Sequence, residues 1–174
     1  DLQSIRDFAD TFHKKDDRLD GLACKAGMVN MKGKPVYTRE GFEITMAASY
    51  FGHFLLTELL LDILKKSAPS RWLILSSVVH AGSPKNRYKV HLDDLHYKTR
   101  KFKAIAAYGE AKVAVVQYAL ELADRLKGTG VTTASVHPGW ARSNFGKGGT
   151  PLTNVVLAIS KPFTRSISNS NWES

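Results

Sequence analysis

Cysteine is nearly missing from this chain. Cys24 stands alone among 174 residues, which excludes an intramolecular disulfide framework and a zinc site built from several thiolates. Long apolar runs are missing too: none approaches the ~20 residues needed to cross a bilayer, and no signal-peptide pattern follows Asp1. The chain does not open on methionine, so a native N-terminus is expected upstream. Acidic residues are scarce, 16 against 25 Lys and Arg, leaving a net charge of +9. Such a balance suits nucleic acid, an anionic membrane surface, a phosphate-bearing cofactor or a merely solvated surface. The positive charges are dispersed except for Lys98, Arg100, Lys101 and Lys103, a group that reads as a solvated loop. No internal repeat and no break in composition divides the chain. At 43% hydrophobic and 24% charged it is globular rather than disordered, and long enough for one domain with a real core.

What is present is an alternation of helix and strand. Leu2, Ile5, Phe8, Ala9 and Phe12 recur at helical spacing over 1–15, with Asp1 placed to cap them. Residues 20–26 read as a short strand running into a loop at Gly27, and Gly33 and Pro35 mark a polar connection. Phe42, Met46, Phe54, Leu55, Leu59 and Ile63 predict a long helix over 41–66, stopped by Pro69. Trp72, Leu73, Ile74 and Leu75 form a continuous apolar run, as in a strand covered on both faces of a parallel sheet. The polar stretch 80–103 is longer than a simple connector requires. A second long helix over 104–126 ends at Gly128 and Gly130, and a third strand over 131–136 is broken by Pro138. A last helical pattern opens near Leu152 and stops before Pro162. Strands joined by helical crossovers imply an α/β domain over 1–165, a partial doubly wound parallel sheet with helices on both faces. Residues 166–174 read as a loose tail. Ligands of such sheets lie beyond the carboxyl ends of the strands, which directs attention to 24–27, 76–79 and 137–144.

Tyr108 and Lys112 stand four residues apart on the second long helix, so phenol and ammonium share a face. A phenol of pKa ~10 is a poor acid or base at neutral pH, and a neighbouring cation favours its ionised form. Ser76 and Ser77 follow the second strand, where a hydroxyl can hydrogen-bond a carbonyl oxygen while Tyr108 supplies or removes the proton. His137, Pro138 and Gly139 follow the third. Each element alone has an ordinary explanation: a chance pair on a helix, serines capping a strand, a turn. Together they fall at one end of the sheet.

The chain resembles the short-chain dehydrogenase/reductases, most closely the retinol-dehydrogenase-like branch. The matching stretches are 19–22 with Ala26-Gly27, Gly52-His53-Phe54-Leu55-Leu56-Thr57, Ser76-Ser77, Ala106-Ala107-Tyr108-Gly109 with Lys112, and Val136-His137-Pro138-Gly139. The resemblance implies a Rossmann-like fold and hydride transfer between NADP(H) or NAD(H), with NADP(H) preferred, and a lipophilic alcohol, aldehyde or ketone. It implies Tyr108 as proton donor or acceptor, Ser77 as the residue orienting the carbonyl, and Lys112 as holder of the nicotinamide ribose and tuner of Tyr108. Ala26, Gly27, Pro138, Gly139 and Ser143 would line the cofactor, and Trp140 and Phe145 the substrate side.

The chain departs from the family pattern in places. Cys24-Lys25 stand where the family has two asparagines, and Ser49 occupies the position of the helix asparagine in the catalytic tetrad. The glycine-rich strand-turn-helix that cradles pyrophosphate is not in this sequence. Gly146-Lys147-Gly148-Gly149 reads instead as a substrate-side loop, and the family's last strand has no counterpart. The expectation is therefore the catalytic middle of a reductase, reached as a fragment, a splice product or a truncated gene model and inactive by itself. The competing reading is a non-catalytic relic that serves as a protein-binding module. No nucleic-acid partner is expected; membrane-surface association and homo-oligomers stay open. A lone cysteine fits the cytoplasm or the cytosolic face of an intracellular membrane.

Overall fold

The computed structural model of the chain describes residues 1–85 and 87–138. Asp1 caps the first helix, α1 (Leu2–Lys15), its carboxylate accepting from the backbone N–H groups of Gln3 at 2.7 Å and Ser4 at 3.3 Å. Lys14 and Lys15 place positive charge against the negative end of the same helix. The first strand, β1, is shorter than expected: it spans Gly21–Cys24, and its register with the next strand ends at Cys24 opposite Ile74.

The second helix, α2 (Ile44–Lys66), begins three residues later than its periodicity predicts. Gly41 has φ 85°, and the buried carboxylate of Glu43 then caps the backbone N–H groups of Thr45 and Met46. Over Ala47–Phe51 the helix widens into a π-helical turn, which no apolar spacing signals. By length and hydropathy α2 could cross a bilayer; here Leu60, Leu61, Ile63 and Leu64 bury in the core.

Strand β2 (Ser70–Leu75) lies at the centre of a parallel sheet of order β1-β2-β3, and β3 spans Val131–Val136. The third helix, α3 (Ala104–Arg125), returns the chain from β2 to β3. Its reversal runs through Gly128 and Gly130, with φ 76° and 78°, a left-handed backbone that glycine adopts without strain. Trp72 and Ile74 of β2, both fully buried, pack against Leu61 and Leu64 of α2 and Val115, Tyr118 and Leu122 of α3. Tyr118 meets the Trp72 ring edge-on at 5.7 Å, and the indole N–H donates to Thr57 Oγ1 at 2.9 Å. The expected two-sided covering is met on one face among the described residues. α1, α2 and α3 gather on the Leu22, Trp72, Ile74 side, whereas Ala23, Arg71 and Ala134 on the opposite face are exposed.

The basic group near residue 100 is not simply a solvated loop. Asp94 is buried and collects the backbone N–H groups of Lys98, Thr99 and Arg100 at 2.7, 3.0 and 2.9 Å. Arg100 reaches α3, donating to both carboxylate oxygens of Glu110 at 3.0 Å, and its guanidinium lies 4.3 Å from the Tyr97 ring centre. Lys98 lies over Tyr37; Lys101 and Lys103 remain exposed as expected. The expected helix after Leu152, the glycine-rich 146–149 loop and the tail 166–174 lie outside the described residues.

Candidate active site

Strand β2 ends at Leu75, and the next residues build the site. Ser77 adopts an extended backbone and caps a 3-10 turn over Val78–Ala81, its hydroxyl accepting from the Val79 N–H at 3.3 Å. The side chain of Tyr108, near the start of α3, lies close enough to the same hydroxyl to feel it electrostatically. One turn further along α3, Lys112 is 3% exposed and donates from Nζ to the Leu75 carbonyl at 2.6 Å. That ammonium lies 5.7 Å from the centre of the Tyr108 ring. The strand end therefore presents a hydroxyl, a phenol and an ammonium together.

The electrostatics differ from the sequence expectation in one respect. Burial pushes the Tyr108 phenol above its ordinary range, and the neighbouring Ser77 side chain only partly opposes this. The lowering expected from Lys112 does not prevail, because Lys112 is itself desolvated and its Nζ is turned to the Leu75 carbonyl. Burial brings the Lys112 ammonium down to about 8.

The loop after β1 closes the other side. Ala26 and Gly27 run past α2, where Ser49, on the π-helical turn, is fully buried. Ser49 Oγ accepts from the Met28 N–H at 3.4 Å and donates to the Met28 carbonyl at 3.3 Å. Its present role is thus to hold the 26–28 loop. A Cβ at Gly27 would sit 3.5 Å from Ser49 Oγ and 3.7 Å from Lys112 Nζ, so glycine backbone, hydroxyl and ammonium converge on one spot. Ser76 Oγ, buried next to Ser77, has no hydrogen-bond partner in the structure. A ribose, rich in hydroxyls, fits this spot: the Lys112 ammonium offers hydrogen bonds, and Gly27 offers close backbone approach.

His53 carries no role in the sequence reading, yet its ring nitrogen Nε2 sits 2.8 Å from the Ala26 carbonyl. Burial holds its pKa below the usual histidine range. The available signal was spacing: Ser49 and His53 are four residues apart, on one face of α2, and both reach the 26–28 loop. The Glu110–Arg100 pair is likewise unsignalled, since the partners are ten residues apart on different elements. Pro138 follows β3 and is exposed. Gly139, Trp140, Ser143 and Phe145 lie outside the described residues.

No protein-family model matches the chain. Among curated proteins it is 43% identical to human "Retinol dehydrogenase 13" over 146 residues, which is 84% of this chain and 42% of that protein. It also overlays a short-chain dehydrogenase from Streptomyces avermitilis with a TM-score of 0.62 and 23% identity, covering 93% of this chain and 56% of the other. An NADP complex of Pseudomonas aeruginosa RhlG overlays with a TM-score of 0.63 and 22% identity, covering 92% and 58%. At these identities the solved structures establish the fold. The chain spans half the length, or less, of the curated relatives it matches.

Proposed function

Homologous to the retinol dehydrogenases and built on the short-chain dehydrogenase/reductase fold, the chain carries, we propose, the proton-handling part of a nicotinamide-dependent oxidoreductase. The reaction interconverts an alcohol and its aldehyde or ketone. The observation that carries this reading is the meeting of Ser77, Tyr108 and Lys112 at the carboxyl end of the central strand.

The nicotinamide, when bound, supplies or accepts the hydride at the carbonyl carbon. Ser77 donates a hydrogen bond to the carbonyl oxygen and fixes its direction. Tyr108 gives that oxygen its proton during reduction and takes it back during oxidation. Lys112 holds the ribose hydroxyls, and its positive charge acts on Tyr108 once Nζ turns from the Leu75 carbonyl towards them. Ser49 positions the 26–28 loop, and Ala26, Gly27, Pro138, Gly139 and Ser143 line the cofactor. NADP(H) is favoured over NAD(H), a choice supported by the NADP held in the RhlG complex. The substrate is a lipophilic alcohol or carbonyl compound, which the name of the human relative supports. The unpaired, buried thiol of Cys24 supports a reducing location, the cytoplasm or the cytosolic face of an intracellular membrane.

The glycine-rich pyrophosphate turn is not among the 174 residues, so the test joins them behind the N-terminal cofactor-binding unit of human retinol dehydrogenase 13. The acid–base residues then come from this chain alone. With decanal and NADPH the fusion should form decanol and NADP⁺ in equal amounts, faster than with NADH. A fusion that binds NADPH and reduces neither decanal nor any other lipophilic carbonyl would overturn the reading.

A further inference from the structure

Tyr88 lies in the long excursion between β2 and α3, far from Tyr108 in sequence, yet its ring rests on the helix backbone at Gly109. A Cβ at Gly109 would stand 2.6 Å from Tyr88 Cε2 and 2.7 Å from Tyr88 Cγ, distances that no real Cβ tolerates. Gly109 carries no positive φ and sits inside a helix, where glycine is unfavourable relative to alanine. Its use there is explained by the ring it admits.

The same ring lines a cleft of about 350 Å³ whose other described walls are Val78, Val79, Gly82 and Ser83, a size at the lower end for small-molecule sites. The cleft is joined to the candidate site through the backbone: Val78 of its wall follows Ser77, and its Tyr88 ring rests on Gly109, the residue after Tyr108. Its described walls carry no charge. Val78 is 49% exposed, so apolar surface at the mouth is left for a ligand to cover.

We propose that Tyr88, seated on Gly109, is a specificity-determining residue, and that its ring forms the wall along which the hydrocarbon chain of an aliphatic substrate lies. This rests on the oxidoreductase reading for the word substrate, though not for the binding itself. An aromatic face gives such a chain dispersion contact and water exclusion without demanding a hydrogen bond. Any side chain at 109 would lift the ring and reshape the cleft beside Tyr108.

The test uses the 174-residue chain, isotopically labelled, titrated with 1-decanol and followed by amide NMR, with no nicotinamide present. The largest shifts should fall on Val78, Val79, Tyr88 and Gly109. Tyr88→Ala should weaken decanol binding about fivefold, the scale of one lost aromatic contact, whereas Tyr88→Phe should keep it. Gly109→Ala should give a similar loss, and adding Tyr88→Ala to it should give no more. If Gly109→Ala does not fold, the Tyr88→Ala and Tyr88→Phe pair decides. Shifts that are absent or fall elsewhere, or unchanged affinity in Tyr88→Ala, overturn the proposal. Decanal turnover by the fusion with no decanol response at Tyr88 removes this inference and leaves the oxidoreductase reading standing. The reverse result removes that reading and leaves the cleft.

Discussion

Burying an ammonium costs free energy unless its environment returns it, and Lys112 is 3% exposed with one carbonyl, that of Leu75, at 2.6 Å. Its pKa falls from 10.5 to about 8 on folding, so the charged form destabilises the fold below pH 8 by up to about 3 kcal/mol. Between about pH 8 and 10.5 the unfolded chain holds the proton and the folded chain does not, so stability rises with pH across that window. Lys112→Met should therefore melt higher than the wild type at pH 7, with the difference shrinking as pH approaches 10.5. Paired thermal melts across that range check it; a variant that melts lower at pH 7 would show that the Leu75 hydrogen bond outweighs desolvation. Ser49 makes the opposite case, a buried hydroxyl that is satisfied. Ser49→Ala leaves the Met28 N–H and carbonyl without their side-chain partner and should cost about 1 kcal/mol in a denaturant titration.

Elements decide how those residues meet. α2 is legible from its apolar spacing, but its π-helical turn over Ala47–Phe51 is a hydrogen-bond shift that hydropathy cannot register. The excursion after β2 shows the same limit. The basic group Lys98, Arg100, Lys101 and Lys103 within it reads as a solvated loop, because composition records how many charges a segment has and not where their partners are. In the fold, Asp94 gathers three backbone N–H groups and Arg100 bridges to Glu110 on α3, two residues beyond Tyr108. The bridge braces the excursion against the helix that carries Tyr108 and Lys112. Arg100→Ala would leave the buried Glu110 carboxylate unpaired. The loss should be about 3 kcal/mol, near the low end for buried pairs, because the Arg100 side chain keeps 25% of its surface exposed. Chemical denaturation of Arg100→Ala measures it, and Arg100→Ala combined with Glu110→Gln should recover part of it. Full additivity of the two changes would mean that the bridge has no such role.

At the scale of the whole molecule, the parallel sheet was legible because β2 is a short apolar run and each crossover is a strongly periodic helix. The placement of the candidate site was legible for the same reason: strand ends of a parallel sheet converge, which brings Ser77 near the start of the crossover helix that carries Tyr108 and Lys112. Less legible was the packing around them, which depends on contacts distant in sequence such as His53 with the Ala26 carbonyl and Tyr88 with Gly109. The gathering of α1, α2 and α3 on one face was also not readable, since periodicity shows that a helix buries one side but not which side of the sheet receives it. On the proposed function, Tyr108 handles the proton for a hydride transfer. The most direct test of this role is the rate of decanal reduction by the fusion carrying Tyr108→Phe, beside the wild type, at saturating NADPH. The expected result is a fall of at least ~100-fold in kcat, the usual scale for a general acid, with NADPH affinity and melting temperature nearly unchanged; a rate within a few-fold of wild type would rule out this role for Tyr108.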